Sequence, residues 1–272
     1  MLLEALSISP GECVAAVGAG GKTALCWRLA QELAWRSHRV VFTTTTRIRR
    51  PAPGAFDRVD VEQNLGAVSQ SLAENSSAWL TACVAAAIDG EPDETPMPDS
   101  TMPVVHTKLS GFAADEVCRL QRSISNPQSP ISFLVEADGA RGRWIKAPAD
   151  YEPVIPPCAD VVCVVANLDA IGRPLDGRVA HRAERIASLT GASLGSAITP
   201  ELIVDLLSHP GGGFRGIPVG ARRLAVLTQS DADELHPDSM AVARGVIERG
   251  YAVAVGAALM KNGALRPFVA CC

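Results

Sequence analysis

Apolar and polar positions alternate between two spacings along the chain. Cys13-Val14-Ala15-Ala16-Val17 is an unbroken apolar run of strand length, closed by Gly18. Leu25, Leu29 and Leu33 then recur every four residues, the buried stripe of an amphipathic helix. Arg28, Glu32 and Arg36 keep the same spacing on another face, where opposite charges four apart pair. Arg39-Val40-Val41-Phe42 begins a second strand, so the opening segment predicts a βαβ unit. Downstream the pattern predicts a helix over 62–75, a third strand within 80–88 and a helix ending near Leu120. Apolar strands follow at 131–135 and 160–166, and His181-Arg182 opens a helix that reaches Leu189. Thr199 and Pro200 mark a helix start as N-cap and first-turn residue. A strand near 223–228, a helix over 239–249 and an inner strand over 251–257 complete the reading. Strands that are apolar throughout, separated by helices, predict an α/β fold with a mainly parallel sheet flanked by helices.

One stretch breaks the pattern. Residues 89–103, DGEPDETPMPDSTMP, hold five acidic residues, four prolines and no basic residue. They read as a mobile loop or insertion in an otherwise single nucleotide-binding domain over 1–272.

Composition narrows the functional classes. A net charge of −4 gives no reason to expect binding to nucleic acid or to an anionic membrane. No apolar stretch is long and uncharged enough to cross a bilayer. The eight cysteines form no C-x-x-C pair, and no secretory signal is visible. The expectation is a cytoplasmic protein with free, mostly buried thiols.

The chemistry concentrates where the first strand meets its helix. Gly18-Ala19-Gly20-Gly21-Lys22-Thr23, followed by Ala24, is a glycine loop entering a helix N-terminus. Such a loop lets backbone amides approach an anion, and the helix end faces it with free N–H groups and a positive dipole. This predicts a polyphosphate site for ATP or GTP: loop amides cradle the phosphates, Lys22 reaches the outer ones and Thr23 holds Mg²⁺. The usual phosphate loop is G-x-x-x-x-G-K-[ST], and its first glycine falls here on Ala16, leaving the shorter G-x-x-G-K-T. Short loops of this kind resemble those of the Mur-ligase group and of some metallochaperone-type nucleotidases. The bland alternative is a glycine turn with a solvated Lys22, but a lysine at a helix N-terminus opposes the dipole and asks for an anion.

Two further segments join this loop. The second strand runs into Thr43-Thr44-Thr45-Thr46, and Thr44 or Thr45 there is a candidate for orienting the γ-phosphate, with Thr45 a candidate magnesium ligand. A plain strand end is the alternative. Phe133-Leu134-Val135-Glu136-Ala137-Asp138-Gly139 is an apolar strand ending in two acids, which resembles a Walker-B element. Asp138 is a candidate magnesium ligand, and Glu136 or Asp138 would orient or deprotonate the attacking group. Arg141 and Lys146 are candidates for adding positive charge to the site. The proline-rich stretch 146–157 (KAPADYEPVIPP) is a rigid path suited to substrate contacts or a surface crossover. Thr228-Gln229-Ser230-Asp231 lies where GTPase-like folds carry a base-reading loop, with Asp231 kept and the asparagine and lysine absent.

GAGGKT, the TTTT strand end, VEADGARG with KAPADYEPVIP, the His181-Arg182 pair and the late TQSD loop together resemble the YqeC family. The resemblance implies a role in maturing the selenium-containing cofactor of molybdenum hydroxylases, with such a hydroxylase or its cofactor-maturation proteins as partners. Three activities then stay open. One is Mg-dependent hydrolysis or transfer of the γ-phosphoryl group. Another is a Mur-ligase-like ligase or kinase that phosphorylates a bound acceptor. The last is non-catalytic, nucleotide-gated delivery.

Overall fold

The structure is a computed structural model that describes residues 1–51, 54–74, 81–95, 104–124, 126, 128–230, 234–258 and 268–271. In chain order its first elements are α1 (Leu2–Ala5), β1 (Cys13–Gly18), α2 (Lys22–Trp35), β2 (Arg39–Thr44), β3 (Arg47–Arg49), β4 (Arg58–Val61), α3 (Leu65–Glu74), β5 (Thr81–Ala85), β6 (Ala87–Thr95) and β7 (Val104–Ser110). These are followed by α4 (Ala114–Ile124), β8 (Ile131–Glu136), β9 (Ile145–Lys146), β10 (Val161–Asn167), β11 (Ala180–His181), α5 (Ala183–Thr190), α6 (Pro200–Ser208), β12 (Arg222–Gln229), α7 (Ser239–Glu248), β13 (Val253–Ala258) and β14 (Phe268–Cys271).

The main sheet runs β14-β13-β12-β10-β1-β8-β2-β5-β4, with every described pairing parallel except the edge pair β13–β14. The expected α/β architecture with a mainly parallel sheet is therefore present. β1 explains how the sheet is covered. Val14 and Ala16 pack with Leu25, Leu29 and Leu33 of α2 in one apolar layer. Cys13, Ala15 and Val17 join the layer that contains residues of α4, α6 and α7. A strand apolar on both faces must be covered on both, which is why its sequence shows no alternation.

The structure changes several expectations. β8 lies between β1 and β2, so the threonine-rich strand is one strand removed from the glycine-loop strand, not its neighbour. Of the acidic stretch expected as a loop, residues 89–95 are strand, pairing with β7 in a small sheet with β3, and residues 96–103 lie outside the described residues. Arg28 pairs with Glu32 at 3.0 Å as expected, whereas Arg36 turns to Glu4 at 2.5 Å. His181 sits in the short strand β11, one step before its helix. The free-thiol expectation fails at one pair: Cys118 of α4 and Cys158 form a disulfide with Cα atoms 5.6 Å apart. Cys13, Cys26 and Cys163 are free and buried. Burial, with Asp160 adding for Cys13, pushes the Cys13 and Cys163 thiols up to about 12. Among the described residues no helix is long and apolar enough to cross a membrane.

The disulfide closes a segment of 40 residues and ties α4 to the loop that leads into β10. Reducing it, or replacing Cys158 by Ser, is expected to lower the unfolding free energy by about 2–4 kcal/mol. Urea titrations with and without a dithiol reductant measure this.

Candidate functional site

β1 ends at Gly18, and α2 begins at Lys22 with Gly21 as its N-cap. Gly18, Gly20 and Gly21 have φ of 92°, 79° and 136°. Two of these glycines are also required by their neighbours. A Cβ on Gly18 would lie 2.2 Å from the Val165 carbonyl oxygen, and one on Gly20 would lie 2.7 Å from that of Trp144. The Ala19 N–H donates to Val165 at 2.9 Å, and the Thr228 hydroxyl donates to the Gly20 carbonyl. The loop is thereby seated on the ends of β10 and β12. The amides of residues 20–24 have no acceptor among the described residues. Free N–H groups at a helix N-terminus are donors of the kind that suit an anion.

Lys22 is 4% exposed. Its ammonium donates to the Gly18 carbonyl at 2.7 Å and stands 3.1 Å from Asp138 Oδ1. Burial pulls this ammonium toward neutrality, but the charges of Asp138 and Glu136 outweigh it and leave the group more firmly protonated than usual. Asp138 is 2% exposed. Its Oδ2 accepts from the Gly18 N–H at 2.9 Å and meets Lys146 Nζ at 3.1 Å. Oδ1 has only the ion-pair contact with Lys22 and no well-aligned hydrogen bond.

The two acids of the EADG turn have separated. Glu136, at the end of β8, accepts from the Thr23 hydroxyl at 2.8 Å. Burial raises its carboxyl above the ordinary range, against the pull of Lys22 and of the Thr23 hydrogen bond. Asp138, beyond the strand, belongs to the lysines instead. A threonine hydroxyl beside a carboxylate is a set of hard oxygen donors that fits Mg²⁺. On this geometry Glu136, rather than Asp138, is the carboxylate beside Thr23. The threonine cluster is hydrogen-bonded to backbone carbonyls. The Thr44 hydroxyl donates to the Glu136 carbonyl at 2.7 Å and the Thr45 hydroxyl to that of Val154 at 2.6 Å. Both brace the loop backbone.

Lys146 has a fully buried side chain, and its ammonium is completely matched: Gly139 O at 2.6 Å, Glu152 Oε2 at 2.8 Å and Asp138 Oδ2 at 3.1 Å. Arg182 meets the same Glu152 oxygen at 2.8 Å. Burial pushes the Glu152 carboxyl up, but Lys146 and then Arg182 outweigh it and bring it down to about 2. Burial, followed by the charges of Arg182, Lys146 and Arg141, presses the His181 imidazole down to about 4, so it is neutral at pH 7. Arg141 stands exposed on the turn after β8, with φ of 49°. Asp231 lies outside the described residues. Just before it, Ser230 N donates to Asp169 at 2.7 Å, which holds the end of β12.

The glycine loop, the EADG turn, the Lys146–Glu152 segment and the His181-Arg182 pair are thus one constellation. The family model described as YqeC protein matches residues 14–184. The chain belongs to the YqeC family. A relative from Escherichia coli (strain K12), described as "Uncharacterized protein YqeC", is 28% identical over 214 residues, covering 78% of this chain and 73% of its own. No solved structure matches the chain. The matched region spans every site residue above except Thr228, Ser230 and Asp231. The role of Glu152 as hub of the second ion-pair cluster was not visible from spacing. The only signal was an acid in a proline-rich loop opposite an isolated His-Arg pair.

Glu152 also yields a pH test. A carboxyl lowered from 4.5 to about 2 stabilises the fold above pH 4.5, and that contribution is lost as pH falls through about 2. The stability gap between the wild type and Glu152→Gln is therefore expected to be widest above pH 5 and to close toward pH 2. Urea unfolding of both proteins across pH 2–7 measures the gap.

Proposed function

We propose that the protein binds a magnesium-complexed nucleoside triphosphate, ATP or GTP, on residues 18–23 and transfers or hydrolyses its γ-phosphoryl group. The observation that carries this reading is the run of acceptor-free amides over residues 20–24, set beside the buried ammonium of Lys22. Any uncapped helix start leaves its first N–H groups without acceptors, so the buried ammonium beside them is what a plain glycine turn does not need. Polyphosphate supplies the acceptors these amides lack.

The residues divide the work. The amides bind the phosphates. Lys22 exchanges its Gly18 carbonyl and Asp138 partners for phosphate oxygens and neutralises charge growing between the β and γ groups. Thr23 and Glu136 would hold the ion, which when bound shields the phosphate charge. Lys146 and the Gly18 amide fix Asp138 Oδ2, leaving Oδ1 to face the attacking group. Thr44 and Thr45 keep the strand ends in register with the EADG turn and the Val154 segment. The family resemblance supplies the setting we propose, maturation of the selenium-containing cofactor of molybdenum hydroxylases. The buried free thiols are poor soft-atom ligands at neutral pH, because burial keeps them protonated.

Lys22→Ala is expected to lower nucleoside-triphosphate turnover by at least about 10²-fold. Its circular dichroism should be unchanged, because Lys146 and the Gly18 amide still partner Asp138. Glu136→Gln is expected to raise the magnesium concentration needed for half-maximal turnover. Phosphate release and calorimetric titration with each of the four ribonucleotides check both. Undiminished turnover in Lys22→Ala, or no heat from any nucleotide with magnesium, overturns the reading.

A further inference from the structure

A chain of ion pairs leads away from the glycine loop: Lys22 to Asp138, Asp138 to Lys146, Lys146 to Glu152 and Glu152 to Arg182. His181 stands beside its far end. Lys146 of β9 and His181 of β11 are register partners in a parallel pair, and the Ala147 N–H donates to the His181 carbonyl at 3.2 Å. Register partners send their side chains to the same face of a sheet. His181 therefore shares a face with the Lys146 side chain, which reaches Asp138, Gly139 and Glu152.

Three side chains here have hydrogen-bonding capacity that nothing fills. The His181 imidazole is half-buried, and neither ring nitrogen has a partner among the described residues. Arg182 uses Nη1 for the Ala147 carbonyl at 3.2 Å and for Glu152 at 2.8 Å, while its Nε and Nη2 have no acceptor among the described residues. Arg141 lies two residues beyond the Gly139 carbonyl that Lys146 holds. It is exposed and pairs with no carboxylate among the described residues.

Charge decides what would fill this capacity. After burial, the groups that act most on the His181 ring are Arg182, Lys146 and Arg141, opposed by Glu152. Three cations against one carboxylate leave an excess of two positive charges around an imidazole that is itself uncharged at pH 7. That excess suits a doubly charged anion, and guanidinium groups match the oxygens of phosphate in spacing and direction. A carboxylate would bring only one charge.

We propose that His181, Arg141 and Arg182 form a second anion site, which takes a phosphate-type dianion, either free or as the end group of a phosphate monoester. The unused N–H groups of the two arginines donate to its oxygens, and His181 adds a ring N–H. Binding at this site does not depend on the nucleotide reading above. With nucleotide on residues 18–23, the second site would hold the anionic group of a co-substrate.

The test follows the His181 ring by NMR in the full chain, its signal being the one absent from His181→Phe. Inorganic phosphate is expected to shift that signal saturably, and acetate to need at least about tenfold more for the same effect. Arg141→Gln should weaken phosphate binding at least about tenfold with unchanged circular dichroism, since Arg141 is exposed. Sulfate, which keeps both charges in acid, should raise the pH at which the ring protonates from about 4 by about 1–3 pH units. A merely structural histidine would not respond in this way. Methyl phosphate separates the two sources: binding equal to that of phosphate supports the site as one for a monoester, and binding of inorganic phosphate alone supports it as one for the free ion. Lys22→Ala should leave the phosphate response of His181 intact, so its loss in that variant places the anion on the glycine loop and overturns the second site. Acetate as effective as phosphate, full affinity in Arg141→Gln, or a ring indifferent to sulfate also overturns it.

Discussion

The site depends on one buried carboxylate being shared. Asp138 is held between the ammonium groups of Lys22 and Lys146 and capped by the Gly18 amide. A charge in this environment survives only when paired, and removing one partner of a buried ion pair typically costs about 3–5 kcal/mol. That is a large part of the roughly 5–15 kcal/mol that holds a domain together. The strand end of β1, the first turn of α2 and the short strand β9 cannot drift apart without exposing that cost. Glu152 extends the constraint, because it shares Lys146 and adds Arg182 at the start of α5. Irregular chain between residues 137 and 158 is thus positioned by electrostatics where no long strand or helix could position it.

The same pairing bears on the nucleotide reading proposed above. Lys22 now donates to the carbonyl of Gly18 inside its own loop. It is buried and charged, held by that carbonyl and by Asp138, and on the proposed reading it would exchange both for phosphate oxygens. In that exchange Asp138 would keep the Gly18 amide and Lys146 on Oδ2. Of the two lysines on this aspartate, Lys146 also meets Gly139 and Glu152, and Lys22 also meets the Gly18 carbonyl.

Much of the architecture was legible because it follows from periodicity. The apolar run of β1, the four-residue stripe of α2 and the Thr199–Pro200 helix start all appear as read. Periodicity carries no information on strand order, and the insertion of β8 between β1 and β2 could not be seen. That insertion sets the threonine cluster one strand away from β1, with the Thr44 hydroxyl on the backbone of Glu136. The different partners of Glu136 and Asp138 follow from a related cause: β8 ends at Glu136, and Asp138 lies beyond it. The Cys118–Cys158 pair, 40 residues apart, had no signature in spacing at all. The candidate residues were recognisable as a set, while their hydrogen-bond and ion-pair partners needed the turn geometry.

The missing first glycine of the usual phosphate loop acquires a physical meaning here. Ala16 lies within β1, paired with Cys163 of β10 and Glu136 of β8, and its carbonyl accepts from the Ala137 N–H at 3.0 Å. The backbone at this point is ordinary strand, and a methyl group fits in the apolar layer shared with α2. Nothing there requires left-handed backbone, so the glycine requirement begins only at Gly18, where the chain leaves the sheet. The shorter loop is closed by protein contacts from β10 and β12, at Val165 and Thr228. A longer loop wraps its anion with its own backbone, whereas this one is propped from behind by neighbouring strands. The amides of residues 20–24 have no acceptor among the described residues, and on the proposed reading a polyphosphate would supply it.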